Sequence, residues 1–182
     1  MSKGYDSVSM TVLQQELKMS RGAMYRYFES KDDLFKAVID KYVFGLMEMI
    51  KPKFSDDITV AERIELMYTH VQNICKFLDN LENVEVKFLN YTALIIQGAK
   101  RYPNFLDKLK KHKEHNLNVW RKAIKNSIEK GEIRKDINVE IMAKIFAKSF
   151  DLSDNSDAHN TFLKGAKSGK KIMEYIYSLI KT

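Results

Sequence analysis

Disulfide-stapled and membrane-spanning architectures are excluded by what this chain lacks. One cysteine, Cys75, in 182 residues rules out an internal disulfide framework and suits a reducing compartment. No apolar run approaches the roughly 18 residues that a membrane helix requires. Nor does an apolar stretch follow a basic leader, as it would in a secretory signal. A cytoplasmic protein with no membrane partner is therefore expected. Two prolines and seven glycines are few breakers for this length, and helical periodicity runs almost throughout, so the fold class reads as all-α. Catalytic signatures are missing too: there is no serine elbow, no glycine-rich phosphate loop and no Cys–His pairing pattern. Cys75 lies on an apolar stripe, as an inert buried thiol does. His112 and His115 flank Glu114, yet no further Cys, His or acidic cluster completes a ligand set, so neither a metal nor another cofactor is expected. The chain does not read as an enzyme.

What is present is a substantial apolar complement, 45% of residues, enough for a packed core. A net charge of +7 is compatible with a nucleic-acid partner. The excess concentrates in residues 100–135 rather than near the N-terminus, so a solvated helix face accounts for it equally well.

The most informative stretch is residues 9–33. Ser9 is placed to cap a short helix whose Met10, Leu13 and Leu17 recur at helical spacing. Lys18 and Met19 form a tight connection, and Ser20 caps a second helix in which Met24 and Phe28, four apart, face inward. The opposite face is Arg21, Gly22, Ala23, Tyr25, Arg26 and Tyr27. Small residues at a helix start permit close backbone approach to a base pair or phosphate, and Arg and Tyr reach outward as phosphate donors. Ser30 then caps a third helix with Asp32 and Asp33 in its first turn, leaving Lys31 towards the same face.

Gly4-Tyr5, Ser9-Met10, Leu13, the run Met19 to Phe28 and Ser30-Lys31-Asp32-Asp33-Leu34 resemble the DNA-binding signature of tetracycline-repressor-like (TetR/AcrR) transcription regulators. The resemblance covers residues 4 to about 40. It implies that Ser9, Arg21, Tyr25, Tyr27 and Lys31 hold phosphates, while Gly22, Ala23 and Arg26 lie nearest the base edges. Three departures stand out. Gln14 replaces a small residue, and Lys18 replaces a turn glycine. Where the family carries a first helix ahead of the Gly-Tyr turn, only three residues precede Gly4. That helix is therefore expected to be missing from the head, leaving Leu13, Leu17, Met24 and Phe28 partly uncovered.

Beyond the head, Leu34 to Ile50 form an amphipathic helix ending near Pro52. Thr59 caps the next, whose stripe holds Ala61, Ile64, Met67, Tyr68, Val71, Cys75 and Leu78; it is either plain core or the wall of a cavity. Residues 84–98 mix period two with helical spacing and read as helix. Gly98 and Pro103 bracket a break, and a long helix follows to Gly131, with Trp120 on its apolar side. Residues 151–160 read as a loop. Met67, Tyr68, Cys75, Tyr91, Trp120 and Phe146 are the candidate pocket residues, suited to an apolar or aromatic small molecule. In the last two helices, Ile141, Ile145, Phe162, Gly165, Gly169, Ile172, Ile176 and Leu179 form a candidate dimer stripe, unless they pack within one chain. The resemblance favours the dimer, since TetR-like proteins pair through their last two helices.

The expectation is a helix-turn-helix head over residues 1–45 and a helical ligand-binding and dimerisation body over 46–182. Together they make a ligand-responsive regulator of double-stranded DNA, a repressor released by a small apolar effector. The rival is a dimeric helical module, a ligand carrier or interaction partner, with a vestigial head.

Overall fold

The computed structural model describes residues 5–49, 55–79, 88–149 and 162–182, apart from the side chains of 46, 49, 74–79, 88–92 and 162–166. The regular structure among those residues is helical, with one isolated antiparallel bridge between Ile133 and Lys181. A 3-10 turn at Tyr5–Ser7 precedes α1 (Met10–Glu16), α2 (Arg21–Tyr27) and α3 (Lys31–Ile39). Each of these three helices starts where a serine satisfies an orphan donor. Ser9 Oγ accepts from the Val12 N–H at 3.2 Å, Ser20 Oγ from Ala23 at 3.1 Å and Ser30 Oγ from Asp33 at 3.1 Å.

The helix expected to run unbroken from the head towards Pro52 instead widens. α3 passes through a π-helical turn at Asp40–Gly45 into α4 (Leu46–Met49). The widening falls where Asp40 is drawn sideways: the Tyr102 hydroxyl donates to it at 2.5 Å and Lys108 Nζ lies 3.6 Å away. Ile39 and Val43, on either side of the turn's start, remain fully buried.

The body comprises α5 (Val60–Asp79), α6 (Phe88–Arg101), α7 (Phe105–Glu129), α8 (Val139–Ser149) and α9 (Phe162–Ile180). A reciprocal capping box opens α5, with the Thr59 N–H donating to Glu62 Oε2 at 2.8 Å and the Glu62 N–H to Thr59 Oγ1 at 3.4 Å. The break expected between Gly98 and Pro103 falls at 102–104, so that Gly98 itself lies inside α6. A Cβ there would sit 2.5 Å from the Phe105 ring, so the missing side chain is what lets α7 begin against α6. Gly131, at φ +75°, ends α7 as expected, and Asn138 caps α8 by accepting the Ile141 N–H at 3.0 Å.

Two apolar clusters result. The larger joins α5, α7, α8 and α9 around Ile64, Met67, Trp120, Ile124, Phe146, Met173 and Ile180. The smaller joins the α3 segment to α6 and α7 through Ile39, Val43, Tyr102 and Phe105. Uncovering in the head is confined to part of its apolar set. Leu17 is 56% exposed and Leu13 and Phe28 are half-buried, but Met24 is 1% exposed.

Ser127 is the polar node of the larger cluster. Fully buried, its Oγ accepts the Val60 N–H at 2.8 Å and donates to Glu132 Oε2 at 3.2 Å. Ser127→Ala strands the Val60 N–H without water, and the expected loss is about 1–3 kcal/mol in urea denaturation. A loss below about 0.3 kcal/mol would mean that the N–H finds another acceptor.

Candidate nucleic-acid interface

The turn between α1 and α2 closes through backbone bonds from Leu17 N–H to Leu13 O at 2.9 Å and from Met19 N–H to Gln14 O at 3.0 Å. Lys18 sits in it at φ +51°, the left-handed region. This is the position where the resemblance anticipates glycine, and the geometry supplies the reason: a Cβ is disfavoured there.

α2 presents the predicted surface. Arg21, Gly22, Tyr25, Arg26 and Tyr27 are exposed, Tyr27 to 68%, and Ala23 is half-buried, while Met24 anchors the other side. Between Glu16 and Glu29 the chain carries Lys18, Arg21 and Arg26 and no acid, so this face is uniformly positive. The Arg21 guanidinium lies 5.6 Å from the centroid of the Tyr25 ring, one turn on. A Cβ built on Gly22 meets nothing within 4 Å, so its bare backbone answers no need of the fold. Ser9 is exposed, with its oxygen engaged as the α1 cap.

Lys31 departs from expectation. Its ammonium does not extend over the outer face but donates to the carbonyls of Tyr5 and Val8, at 2.9 and 2.8 Å, and lies 4.0 Å from the Tyr5 ring centroid. The Tyr5 carbonyl also accepts the Val8 N–H at 3.3 Å, so the cation adds a second bond there and one at Val8, bridging the two ends of the turn. Lys31 therefore positions the segment leading into Ser9.

That segment is also tied to the body. Tyr5 packs edge-on against Phe35 at 4.9 Å and its hydroxyl bonds Asp32; burial first, then Asp32, pushes the phenol up to about 12. Arg101, at the end of α6, pairs with Asp6 and lies 4.2 Å from the Tyr5 centroid. An open groove of about 390 Å³ lies alongside, lined by residues that include Asp33, Lys36, Arg101 and Pro103. Sequence reading missed Tyr5, Asp6 and Arg101 as a group, because the partners are 95 residues apart and no local pattern links them.

The pocket candidates Met67, Trp120 and Phe146 come together in the larger core, Trp120 stacking on Phe146 at 4.8 Å and 13°. Tyr68 is half-buried with Lys170 Nζ 4.8 Å from its ring centroid. The side chains of Cys75 and Tyr91 lie outside the described residues. Arg63, not anticipated, is buried among them; a signal existed, since it falls in phase with Val60 and Met67. Of the dimer stripe, Ile141, Ile145, Ile172 and Leu179 are exposed, joined by Tyr175, and Ile176 is half-buried against the core. Gly169 is a correction: it is buried within the chain, where its side of α9 turns inward. Phe162 and Gly165 lie outside the described side chains.

Because Lys18 is exposed and adopts a positive φ, Lys18→Gly is expected to raise stability by up to about 1 kcal/mol in chemical denaturation. A loss of stability would show that the Lys18 side chain contributes more than its backbone strain costs.

Residues 1–38 match the family model described as bacterial regulatory proteins, tetR family. Over 124 residues, 66% of this chain, the sequence is 32% identical to YuxN, an uncharacterized HTH-type transcriptional regulator of Bacillus subtilis (strain 168), and the match spans 41% of that protein's length. Among solved structures, the ketosteroid transcriptional regulator KstR2 of Mycobacterium tuberculosis superposes with a TM-score of 0.55 at 14% identity, covering 99% of this chain and 88% of that one. NemR of E. coli, in its reduced form, gives 0.52 at 13% identity, covering 98% and 90%. These two likenesses bear on the fold, and the family-model match falls on the N-terminal helices. Residues 1–38, the head of this chain, match the tetR family of bacterial regulatory proteins.

Proposed function

We propose that this protein is a one-component transcription regulator in which α2 enters the major groove of double-stranded DNA and the body binds a small effector. The observation that carries this reading is the exposed, acid-free face of α2, with Gly22 bare towards solvent in a helix that would otherwise favour a side chain. Arg21, Tyr25 and Tyr27 take phosphates there, Ser9 assists from the start of α1, and Gly22, Ala23 and Arg26 lie at the base edges. Lys31 holds the entry segment in place and contributes its charge to the same field. The head is residues 1–45 and the body 46–182.

The functional unit in this reading is a homodimer. α8 and α9 pack on each other, and each leaves an apolar row in solvent: Ile141 and Ile145 on one, Ile172, Tyr175 and Leu179 on the other. A two-fold pair would set two copies of α2 on successive major grooves. Regulation is repression relieved by effector. A ligand that prefers a body conformation with misplaced heads lowers DNA affinity by the same coupling free energy. The mechanical links are the α3 segment, with its π-helical turn at Asp40, and the contact of Arg101 with Tyr5 and Asp6.

Fluorescence anisotropy on duplexes flanking the protein's own gene, across a salt series, tests DNA recognition. Arg21→Ala is expected to lower affinity and reduce the salt slope by about 1. Gly22→Ala should leave the fold intact, yet weaken the preferred duplex about tenfold by lifting the backbone off it. Equal binding by both variants and the parent, or no preference among duplexes, would overturn the reading in favour of a helical module with no DNA role.

Light scattering tests the dimer separately. The parent should elute at twice 21.3 kDa, and Ile141→Asp combined with Leu179→Asp should elute at 21.3 kDa with an unchanged helical spectrum. A monomeric parent would dismiss the pairing.

A further inference from the structure

The connection between α1 and α2 is built as a glycine-type helix end, and this chain fills it with lysine. Glu16 is the last residue of α1, Leu17 its cap, and Lys18 the residue that turns left-handed, at φ +51°. The Lys18 N–H donates to Gln15 O at 3.2 Å and the Met19 N–H to Gln14 O at 3.0 Å, the pair of bonds that closes a helix in this way. Glycine is favoured at such a position because a Cβ crowds the following carbonyl oxygen. The same pair of bonds ends α7, from Gly131 N–H to Ile128 O at 3.1 Å and from Glu132 N–H to Ser127 O at 2.8 Å. There the chain does use glycine, at φ +75°.

The fold offers the lysine nothing in return. Lys18 is exposed, and its ammonium has neither a hydrogen bond nor an ion pair among the described residues. A cation near the end of a helix favours the helix dipole, but a lysine in place of the exposed Gln15, in the last turn of α1, would do so without a left-handed backbone. Strain kept at an exposed side chain without a partner points to a use outside the fold. Lys18 stands three residues before Arg21, in the acid-free run between Glu16 and Glu29.

We propose that Lys18 is a further phosphate-binding residue, its ammonium taking a backbone oxygen of double-stranded DNA beside the start of α2. The inference rests on the reading of α2 as the helix that enters the major groove. A compact charge on a flexible stem suits a phosphate, and phosphate contacts carry no sequence information. Lys18 therefore adds affinity for any duplex without adding preference. At this turn the head gives up stability for its hold on DNA.

Anisotropy across a salt series, on the preferred duplex and on an unrelated one, compares three substitutions with the parent. Lys18→Met keeps the Cβ and the stem but removes the charge, Lys18→Arg keeps the charge, and Lys18→Gly removes the side chain and the strain together. Lys18→Met and Lys18→Gly should each lower affinity about fivefold on both duplexes and reduce the salt slope by about 1 for each head bound. Lys18→Arg should bind like the parent. Only Lys18→Gly should also raise the urea midpoint, so that a more stable protein binds DNA less well. An unchanged salt slope with Lys18→Met overturns the inference, because the charge then meets no phosphate. A loss confined to the preferred duplex overturns it too, since Lys18 would then be reading bases. So does a loss with Lys18→Gly that Lys18→Met does not share, which would trace to the loosened turn. Arg21→Ala in the same series separates the two levels. If it weakens binding while Lys18→Met does not, only the Lys18 contact is removed. If the parent prefers no duplex and Arg21→Ala binds as the parent does, DNA recognition by α2 falls and the Lys18 contact falls with it.

Discussion

Burial of one long helix, α7, along both of its ends is the constraint on which the rest of the molecule depends. Its N-terminal Phe105 closes the smaller cluster against α6 and the α3 segment, while Trp120 and Ile124 sit in the larger cluster with α5, α8 and α9. The first contact exists because Gly98 has no side chain to obstruct the Phe105 ring. The second is locked by Ser127, which takes the first N–H of α5, and by Arg121, whose guanidinium meets both oxygens of Glu140 on α8 at 2.6 and 2.9 Å. The same element touches both clusters, and in the regulatory reading proposed above it is α7 that would carry a displacement in the body to the segment that bears the head.

The path towards the head is polar as well as apolar. Asp40 faces Tyr102 and Lys108 at the wide turn after α3, and Arg101 reaches the turn before α1. Two anchors thus lie one before and one after the α1–α2 pair in the chain. Exposed ion pairs contribute little individually. Their value here is geometric, because each joins segments far apart in the chain, Asp6 to Arg101 and Asp40 to Lys108.

Local features proved readable from the residues. Ser9, Ser20, Ser30, Thr59 and Asn138 all cap where the sequence places them, because a cap is an interaction over three residues and needs no tertiary context. Gly131 likewise ends α7 with its positive φ. The outward set of α2 followed from the inward spacing of Met24 and Phe28, which leaves the other positions to solvent. Lys31 was misjudged because helical phase gives the side on which a side chain leaves the backbone, but not which carbonyls a flexible ammonium will find. The α6–α7 break lies beside Pro103 and not at Gly98, since a glycine serving a close approach looks the same in sequence as one ending a helix.

By itself the sequence determined the all-α class, the caps and phases of the helices, and the positive acid-free face of α2, all consequences of interactions within a few turns. Only the tertiary structure decided that Lys31 and Arg101 converge on the first turn, that α3 widens at Asp40, that Gly169 turns inward, and that Arg63 lies beside Trp120 and Asn116. Each of these depends on partners tens of residues away, where the choice among competing contacts is made by the packing of whole helices rather than by any local preference.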